Sequence, residues 1–314
     1  MNTGQSWQFG PGSTSTQLPS MAKKLRAYRS ISDLPFHRLV KGAVGRTLMT
    51  LLPAQASMVK SDPFGQKHGA VGKLIRHGWF VKAVAERDHA LITRFLGNYW
   101  SSQVSDEFYE GLSHRYETLF LAYHSAIVEE TRKAMAFCGG PFSQLVEVGS
   151  GDGKILNHFS EALVAYIPTF HGIDLNLPQV QNNRKLFAER PSLSFHHADA
   201  GRWLREHPLP GTVLVANGGV LEYFTRAEVL ELFTFLARNC APCVISLTES
   251  IAADHNLAKE PDTYPYGFEL SLSHNYSALL EAAGYTITYT NDRFTTPEES
   301  ETVGRWLQLV AAVQ

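Results

Sequence analysis

Three glycines at spacing two, Gly149, Gly151 and Gly153, stand between Leu145-Val146-Glu147-Val148 and Lys154-Ile155-Leu156-Asn157-His158-Phe159. The residues before them alternate and branch like a buried strand, and those after them read as the first turns of a helix. Glycine is needed in such a turn because a Cβ would block either a positive φ or the approach of a ligand. A strand that turns tightly into a helix brings bare backbone N–H groups to that ligand. The spacing narrows the ligand class. Dinucleotide sites read G-x-G-x-x-G, whereas this chain has G-x-G-x-G with an acid, Glu147, two residues before the first glycine. Further polar groups fall where later strands end: Asp174, 21 residues after Gly153, then Asp199 beside Ala200, and Asn217. A carboxylate at the end of the second strand can accept both hydroxyl protons of a ribose. Taken singly, a strand-end Asp is more simply a helix N-cap; here the positions recur in order.

Candidates for proton transfer lie further on. Glu222 sits in Gly218-Gly219-Val220-Leu221-Glu222-Tyr223-Phe224, Glu249 ends the fifth strand pattern, and His255 follows it. A histidine titrates ordinarily near 6.5, which suits it to take a hydroxyl proton at neutrality. The bland alternative for His255 is a surface loop residue, so the base stays open among the three. Tyr109, Tyr116 and Tyr123 recur every seven residues and share a helical face. That stripe reads either as core or as the mouth of a pocket, to which Tyr223, Tyr264 and Tyr266 would add aromatic walls. His196 and His197 alternate along a strand and cannot chelate one metal together, and no metal-ligand cluster is evident. Cys240-Ala-Pro-Cys243 has redox spacing without a second pair, at a strand start, and reads as structural.

These residues need a frame that brings strand ends together. From Gly139-Gly140-Pro141 onward, strand and helix patterns alternate: strands at 143–149, 168–174, 192–197, 211–217 and 242–249, helices at 153–165, 178–190, 200–206, 225–238 and 275–283. Such alternation predicts an α/β, doubly wound, mostly parallel sheet with helices on both faces. A final strand pair, 284–290 and 303–312, has no helix between its members and predicts an antiparallel hairpin closing a seven-stranded sheet.

The N-terminal third differs. Residues 1–20 carry no charge and are rich in Gly, Ser, Thr, Gln and Pro, the composition of a disordered leader. Residues 1–82 hold twelve Lys and Arg against Asp33 and Asp62, although the whole chain is at −2. Apolar residues form a helical stripe over 34–52 with His37, Arg38, Lys41 and Arg46 mostly off it. The stripe predicts a cap helix packed on the following domain, with peripheral contact to an anionic membrane surface as the alternative. Residues 53–82, with Pro53, Pro63 and four glycines, read as loop with short helical pieces, followed by helices over 83–99 and 104–137. The division expected is a leader at 1–20, a basic helical cap at 21–139 and a cofactor domain at 140–314. Three cysteines, and neither a signal-peptide pattern nor an 18-residue apolar run, suit a reducing, cytoplasmic setting.

Glu147-x-Gly149-x-Gly151-x-Gly153 resembles motif I, E-x-G-x-G-x-G, of the class I S-adenosylmethionine-dependent methyltransferases, and the resemblance spans about residues 140–314. It implies a Rossmann-like methyltransferase fold with S-adenosylmethionine as cofactor. Glu147 would serve the cofactor's ammonium, Asp174 its ribose and Asp199 its adenine amino group, and a helix carrying Tyr116 would cover it. Val220-Leu221-Glu222-Tyr223 is similar to the G-V-L-E-H turn of small-molecule enzymes, with Tyr223 in place of histidine. It does not resemble the Asn/Asp-Pro-Pro-Tyr/Phe motif of base N-methylating enzymes, and Gly211-Thr212 departs from the Asp usual at the head of that strand. The resemblance therefore implies O-methylation of a small molecule or sugar hydroxyl. Its rivals are an RNA methyltransferase gripping phosphates through the basic N-terminus, and a non-catalytic module keeping the cofactor fold. Against the first, the basic segment lacks the aromatic interleaving of a single-strand platform; against a nicotinamide enzyme stands the glycine spacing.

Overall fold

The computed structural model describes residues 25–65, 68–100, 114–267, 270–294 and 304–314. The leader expected at 1–20, and Tyr109, lie outside the described residues. Strands β1 (Gln144–Val148), β2 (Thr169–Asp174), β3 (Leu193–His197), β4 (Thr212–Asn217), β5 (Cys243–Ile251), β8 (Thr286–Phe294) and β9 (Arg305–Val313) form one sheet. Its order is β3-β2-β1-β4-β5-β9-β8, parallel except that β9 runs antiparallel to both β5 and β8. This is the doubly wound, seven-stranded, mostly parallel sheet with a closing hairpin that the alternating pattern predicts. The remaining strands, β6 (Tyr264–Tyr266) and β7 (Ser271–Ser273), form a separate hairpin in the insertion after β5.

Strand periodicity sorts the core. Val146 of β1 and Leu214 and Ala216 of β4 face one layer, with Trp203 on α8 (Ala200–Glu206), Phe233 on α9 (Arg226–Asn239) and Leu279 on α10 (Tyr276–Ala282). Leu145, Val213 and Val215 face the opposite layer, formed by α5 (Ala126–Cys138), α6 (Lys154–Leu163) and α7 (Leu177–Leu186). Apolar side chains on both faces of each strand are what a parallel sheet between two helix layers requires. The chain leaves β1 toward β2 and β3 on one side and continues to β4 and β5 on the other. The crevice beyond the carboxyl ends of β1 and β4 is therefore the switch point, where open α/β sheets bind ligands.

The N-terminal region is more helical than its composition predicts. After α1 (Phe36–Leu51) come α2 (Pro53–Ser61), α3 (Gly69–Glu86) and α4 (His89–Trp100), where loop with short pieces, then one helix over 83–99, is expected. Pro53 occupies the first turn of α2, where a missing N–H costs nothing. Gly72 and Gly78 of α3 sit at close contacts in which a Cβ would meet His68 at 2.2 Å and Gly45 at 2.7 Å, so packing overrides weak propensity. The break instead falls at Arg87, whose left-handed backbone caps α3. Within the stretch expected as one helix, Tyr116–His124 is a π-helix that precedes α5. No helix among the described residues is long and apolar enough to cross a membrane.

The segment before α1 is fastened to the insertion after β5. Tyr28 N–H donates to the Pro265 carbonyl at 2.7 Å, and Arg29 pairs with Asp254 at 3.0 Å and Glu260 at 2.8 Å. Side chains of α3 and α4 then share a core with Tyr28, Leu34 and Leu270.

Candidate functional site

A cavity of about 710 Å³ opens over the switch point, with walls from α4, the π-helix, the ends of β1, β2 and β4, and the insertion. Its floor is the glycine turn. Gly149, Gly151 and Gly153 take φ of 67°, 48° and 74°, a region that disfavours any side chain. A Cβ on Gly149 would lie 2.8 Å from both methyls of Val220, and one on Gly153 2.8 Å from Phe187. A Cβ on Gly151 would meet nothing within 4 Å, because this residue faces the open cavity.

The turn presents room rather than bare donors, which corrects the sequence expectation. Gly149 and Ser150 N–H both donate to the Ile173 carbonyl (2.8 and 3.1 Å), Gly151 N–H to Asp174 Oδ2 (2.9 Å) and Gly153 N–H to the Ser150 carbonyl (2.9 Å). The free polar capacity lies in side chains. Glu147 is 2% exposed, lines the cavity, and its Oε2 has no hydrogen-bond partner. Burial, then the charges of Asp152 and Asp174, hold its pKa well above the ordinary carboxylate range. Burial raises Asp152 too. Asn217 Oδ1 and Ser150 Oγ, also at the cavity, are likewise without partners. An unpaired buried acceptor costs about 1–3 kcal/mol, and a ligand that donates to it recovers that loss.

Asp174 and Asp199 have local duties as well. Asp174 Oδ1 accepts the Asn176 N–H at 2.9 Å, while Asp199, exposed beside buried Ala200, caps α8 by accepting the Arg202 N–H at 2.8 Å. Both line the cavity, and a carboxylate oxygen that accepts one N–H keeps a second lone pair. The helix-cap explanation and the pocket location thus hold together.

On the other side of the glycine turn the walls become aromatic. Tyr116 stacks on Phe120 at 5.8 Å and hydrogen-bonds His158 Nδ1 at 3.2 Å, and Tyr223 packs on Trp100 at 5.2 Å. Tyr123 does not line the cavity; its ring lies under the Arg293 guanidinium at 5.1 Å. Wider i→i+5 turns explain why. In a π-helix a step of four, from Tyr116 to Phe120 to His124, comes back to one side, and the step of seven does not.

The acids and histidine proposed for proton transfer part company here. Glu222 lines the cavity, and its Oε2 accepts from Ser250 Oγ at 3.0 Å and from the Tyr266 hydroxyl, also a cavity residue. Glu249, one residue before Ser250, points to the other face of β5 with Ile245 and Leu247. It is fully buried, does not line the cavity, and accepts Val220 N–H and Leu221 N–H at 3.0 Å each. His255 is also fully buried outside the cavity, held between Ser273 Oγ at 2.9 Å and the Glu260 carbonyl at 3.2 Å. Tyr264 lies away from the cavity against His255 and under the Arg29 guanidinium, 5.1 Å from its ring. Sequence proximity to a strand end could not separate these; strand alternation separates Glu249 from Ser250.

Three cavity groups carry no local sequence signal. His124 is 1% exposed with neither ring nitrogen partnered, and burial, with Arg293 and Arg115 nearby, lowers its pKa to about 4, so the ring is neutral. Trp306 of β9 lies 5.5 Å from it, its indole N–H also unpartnered. Trp100 closes the side toward α4. Among the described residues no cluster of His, Cys, Asp or Glu is arranged to hold a metal ion.

No protein-family model and no curated protein sequence matches the chain. Among solved structures it is similar to a magnesium protoporphyrin IX methyltransferase from Synechocystis with bound S-adenosylmethionine: 14% identity over 71% of this chain and 97% of that one, TM-score 0.45. A Leishmania major S-adenosylmethionine-dependent methyltransferase is similar at 13% identity over 82% of this chain and 90% of that one, TM-score 0.45. The [4+2]-cyclase SpnF is similar at 16% identity over 60% of this chain and 80% of that one, TM-score 0.43.

Proposed function

We propose that this protein is a cytoplasmic S-adenosylmethionine-dependent methyltransferase that methylates a hydroxyl of a small molecule or sugar. The carrying observation is the division of one cavity at the glycine turn. One half gathers Glu147, Asp152 and Asp174, and the other is aromatic and holds the Glu222 carboxylate. Three acids around a buried, unpartnered oxygen favour a cationic ligand, and S-adenosylmethionine carries both an ammonium and a sulfonium. The fit is also steric, since the open face of Gly151 admits a ligand against the backbone. Glu147 would receive the ammonium, Asp174 the ribose hydroxyls, Asp199 with Ala200 the adenine side, and Asn217, at the end of β4 across β1, the opposite end of the cofactor. When bound, the cofactor supplies an electrophilic methyl and leaves as a neutral thioether.

The chain's own task is to orient the acceptor, exclude water and take its proton. In this reading Tyr116, Tyr223, Trp100 and Phe120 wall the acceptor, and His124 with the Trp306 indole N–H fixes its polar end. Glu222 takes the proton. Burial holds the Tyr266 hydroxyl far above its ordinary pKa, so it stays a donor that orients the Glu222 carboxylate. Residues 140–314 would be the catalytic domain and the preceding helices its cap.

The test combines S-adenosylhomocysteine calorimetry with S-adenosylmethionine consumption over a panel of phenolic and sugar acceptors. Glu222→Gln should cut turnover by about 10²–10⁴-fold while cofactor affinity barely changes, and Tyr266→Phe should lower turnover less. Absence of saturable S-adenosylhomocysteine binding would overturn the cofactor reading. Near-normal turnover in Glu222→Gln would overturn the base assignment alone.

A further inference from the structure

Helix α1 is packed inside out. Its two buried positions are glycines, Gly42 and Gly45, while Phe36 is 81% exposed, Leu51 68%, Val40 46% and Val44 45%. The cause is its contact with α3. A Cβ on Gly45 would lie 2.1 Å from the Leu74 carbonyl oxygen and 2.7 Å from the Gly78 nitrogen, so the two backbones touch with no side chain between them. At about 100° per residue, Phe36, Val40, Val44 and Leu51 fall in one stripe about 80° wide, roughly opposite the glycines. Leu39, Leu48 and Met49 pack inward at the flanks of the glycine contact, and the other large apolar side chains of the helix face outward. Leu52 and Met58, at the start and in the body of α2, are exposed beside it.

Charge identifies what would cover this face. Residues 34–61 contain Arg38, Lys41, Arg46 and Lys60 and no acid, in a protein whose overall charge is −2. Lys41 and Arg46 are exposed and project about 100° and about 120° from the stripe's centre on opposite sides, as cations that snorkel from a bilayer interface do. A second copy of this face would repel the first, since each carries the same exposed Lys41 and Arg46. An acidic headgroup layer over hydrocarbon satisfies both features at once. No described helix can cross a membrane, so α1 would lie in the interface plane.

We propose that the outer face of α1 and the adjoining part of α2 dock the protein onto an anionic lipid bilayer. The inference does not depend on the reaction proposed above. The experiment is co-sedimentation of the full chain with phosphatidylcholine vesicles, with and without phosphatidylserine, at low and high salt, using methyltransferase-independent readouts. The variants are Phe36→Asp with Leu51→Asp, and Lys41→Glu with Arg46→Glu. All four positions are exposed, and thermal melts matching the unaltered protein show that the variants fold. Binding should require phosphatidylserine, weaken as salt rises, and drop about tenfold or more in either double variant. Binding that ignores phosphatidylserine, no binding at low salt, or variants that bind as well as the unaltered chain would overturn the proposal. So would a solution dimer that Phe36→Asp with Leu51→Asp dissolves, because the face would then be a copy-to-copy interface.

Discussion

Replacing Glu249 by glutamine separates the duties of two neighbouring buried acids. Glu249 accepts two peptide N–H groups from the Val220–Leu221 turn and the Tyr276 hydroxyl at 3.3 Å. Burial, then the nearby charge of Glu222, pushes its pKa up to about 8, from an ordinary value of 4.5. The native state therefore holds a proton between those values that the unfolded chain has released. The resulting stability is complete below about pH 4.5 and is lost as pH rises through 8. At about 1.36 kcal/mol per pKa unit the window spans on the order of 3–5 kcal/mol. Glutamine stays neutral at every pH and removes the window. It also turns one amide N–H toward a peptide donor, a pH-independent cost of about 1–3 kcal/mol. Urea unfolding in steps from acid to mildly alkaline pH should show stability falling for the unaltered protein and a flatter profile for Glu249→Gln. Glu147 contributes a slope of the same sign to both proteins, so the difference isolates Glu249. Parallel profiles would refute the reasoning, because Glu249 would then be equally ionised in the folded and unfolded chains.

Two further outcomes follow from the same geometry. S-adenosylhomocysteine keeps an ammonium group, which favours the ionised form of Glu147, so binding should release protons and weaken as pH falls. Calorimetry in buffers of different ionisation enthalpy measures this, and a buffer-independent heat would count against Glu147 as the ammonium's partner. Gly45→Ala forces a Cβ into backbone atoms of α3 and should cost about 1–3 kcal/mol in urea unfolding. Gly97→Ala, in α4 where an added Cβ meets nothing within 4 Å, should instead gain up to about 1 kcal/mol.

The sheet was legible because a strand buried on both faces must be apolar throughout, and the helices between such strands must be amphipathic. Thr212–Asn217 and Ala200–Glu206 accordingly fall within a residue of their expected bounds. The N-terminal helices were not, because Gly72 and Gly78 read locally as breakers and acquire their purpose only when α1 lies against them. The π-helix escaped for a related reason, since a spacing of seven carries no mark of the turn's width. In the site, Glu147, Gly149, Gly151, Gly153 and Asp174 could be read from the chain because one strand–turn–helix unit and the next strand end bring them together. His124, Trp306 and Trp100 come from three distant segments and meet only through the fold. Glu249 and Ser250 differ in neither exposure to solvent by composition nor distance from the strand end. The alternation of β5 turns the serine to the cavity and the glutamate to the Val220 and Leu221 N–H groups.

The two halves of the cavity are held by one device used twice. Asp174 binds the N–H groups of Gly151 and Asn176, fixing the glycine turn to the end of β2. Glu249 binds the N–H groups of Val220 and Leu221, fixing the next turn to the end of β5. The turns then touch where Gly149 faces the methyls of Val220, at a distance that admits no Cβ. Glu222 follows Leu221 directly, so its reach into the aromatic half is set by the carboxylate that pins its neighbour. A carboxylate buried for this purpose costs stability at high pH, as Glu249 illustrates. Two rigid turns in contact keep Glu222 at a fixed distance from whatever occupies the glycine turn, and the in-line transfer proposed above would depend on that constancy more than on any single side chain's chemistry.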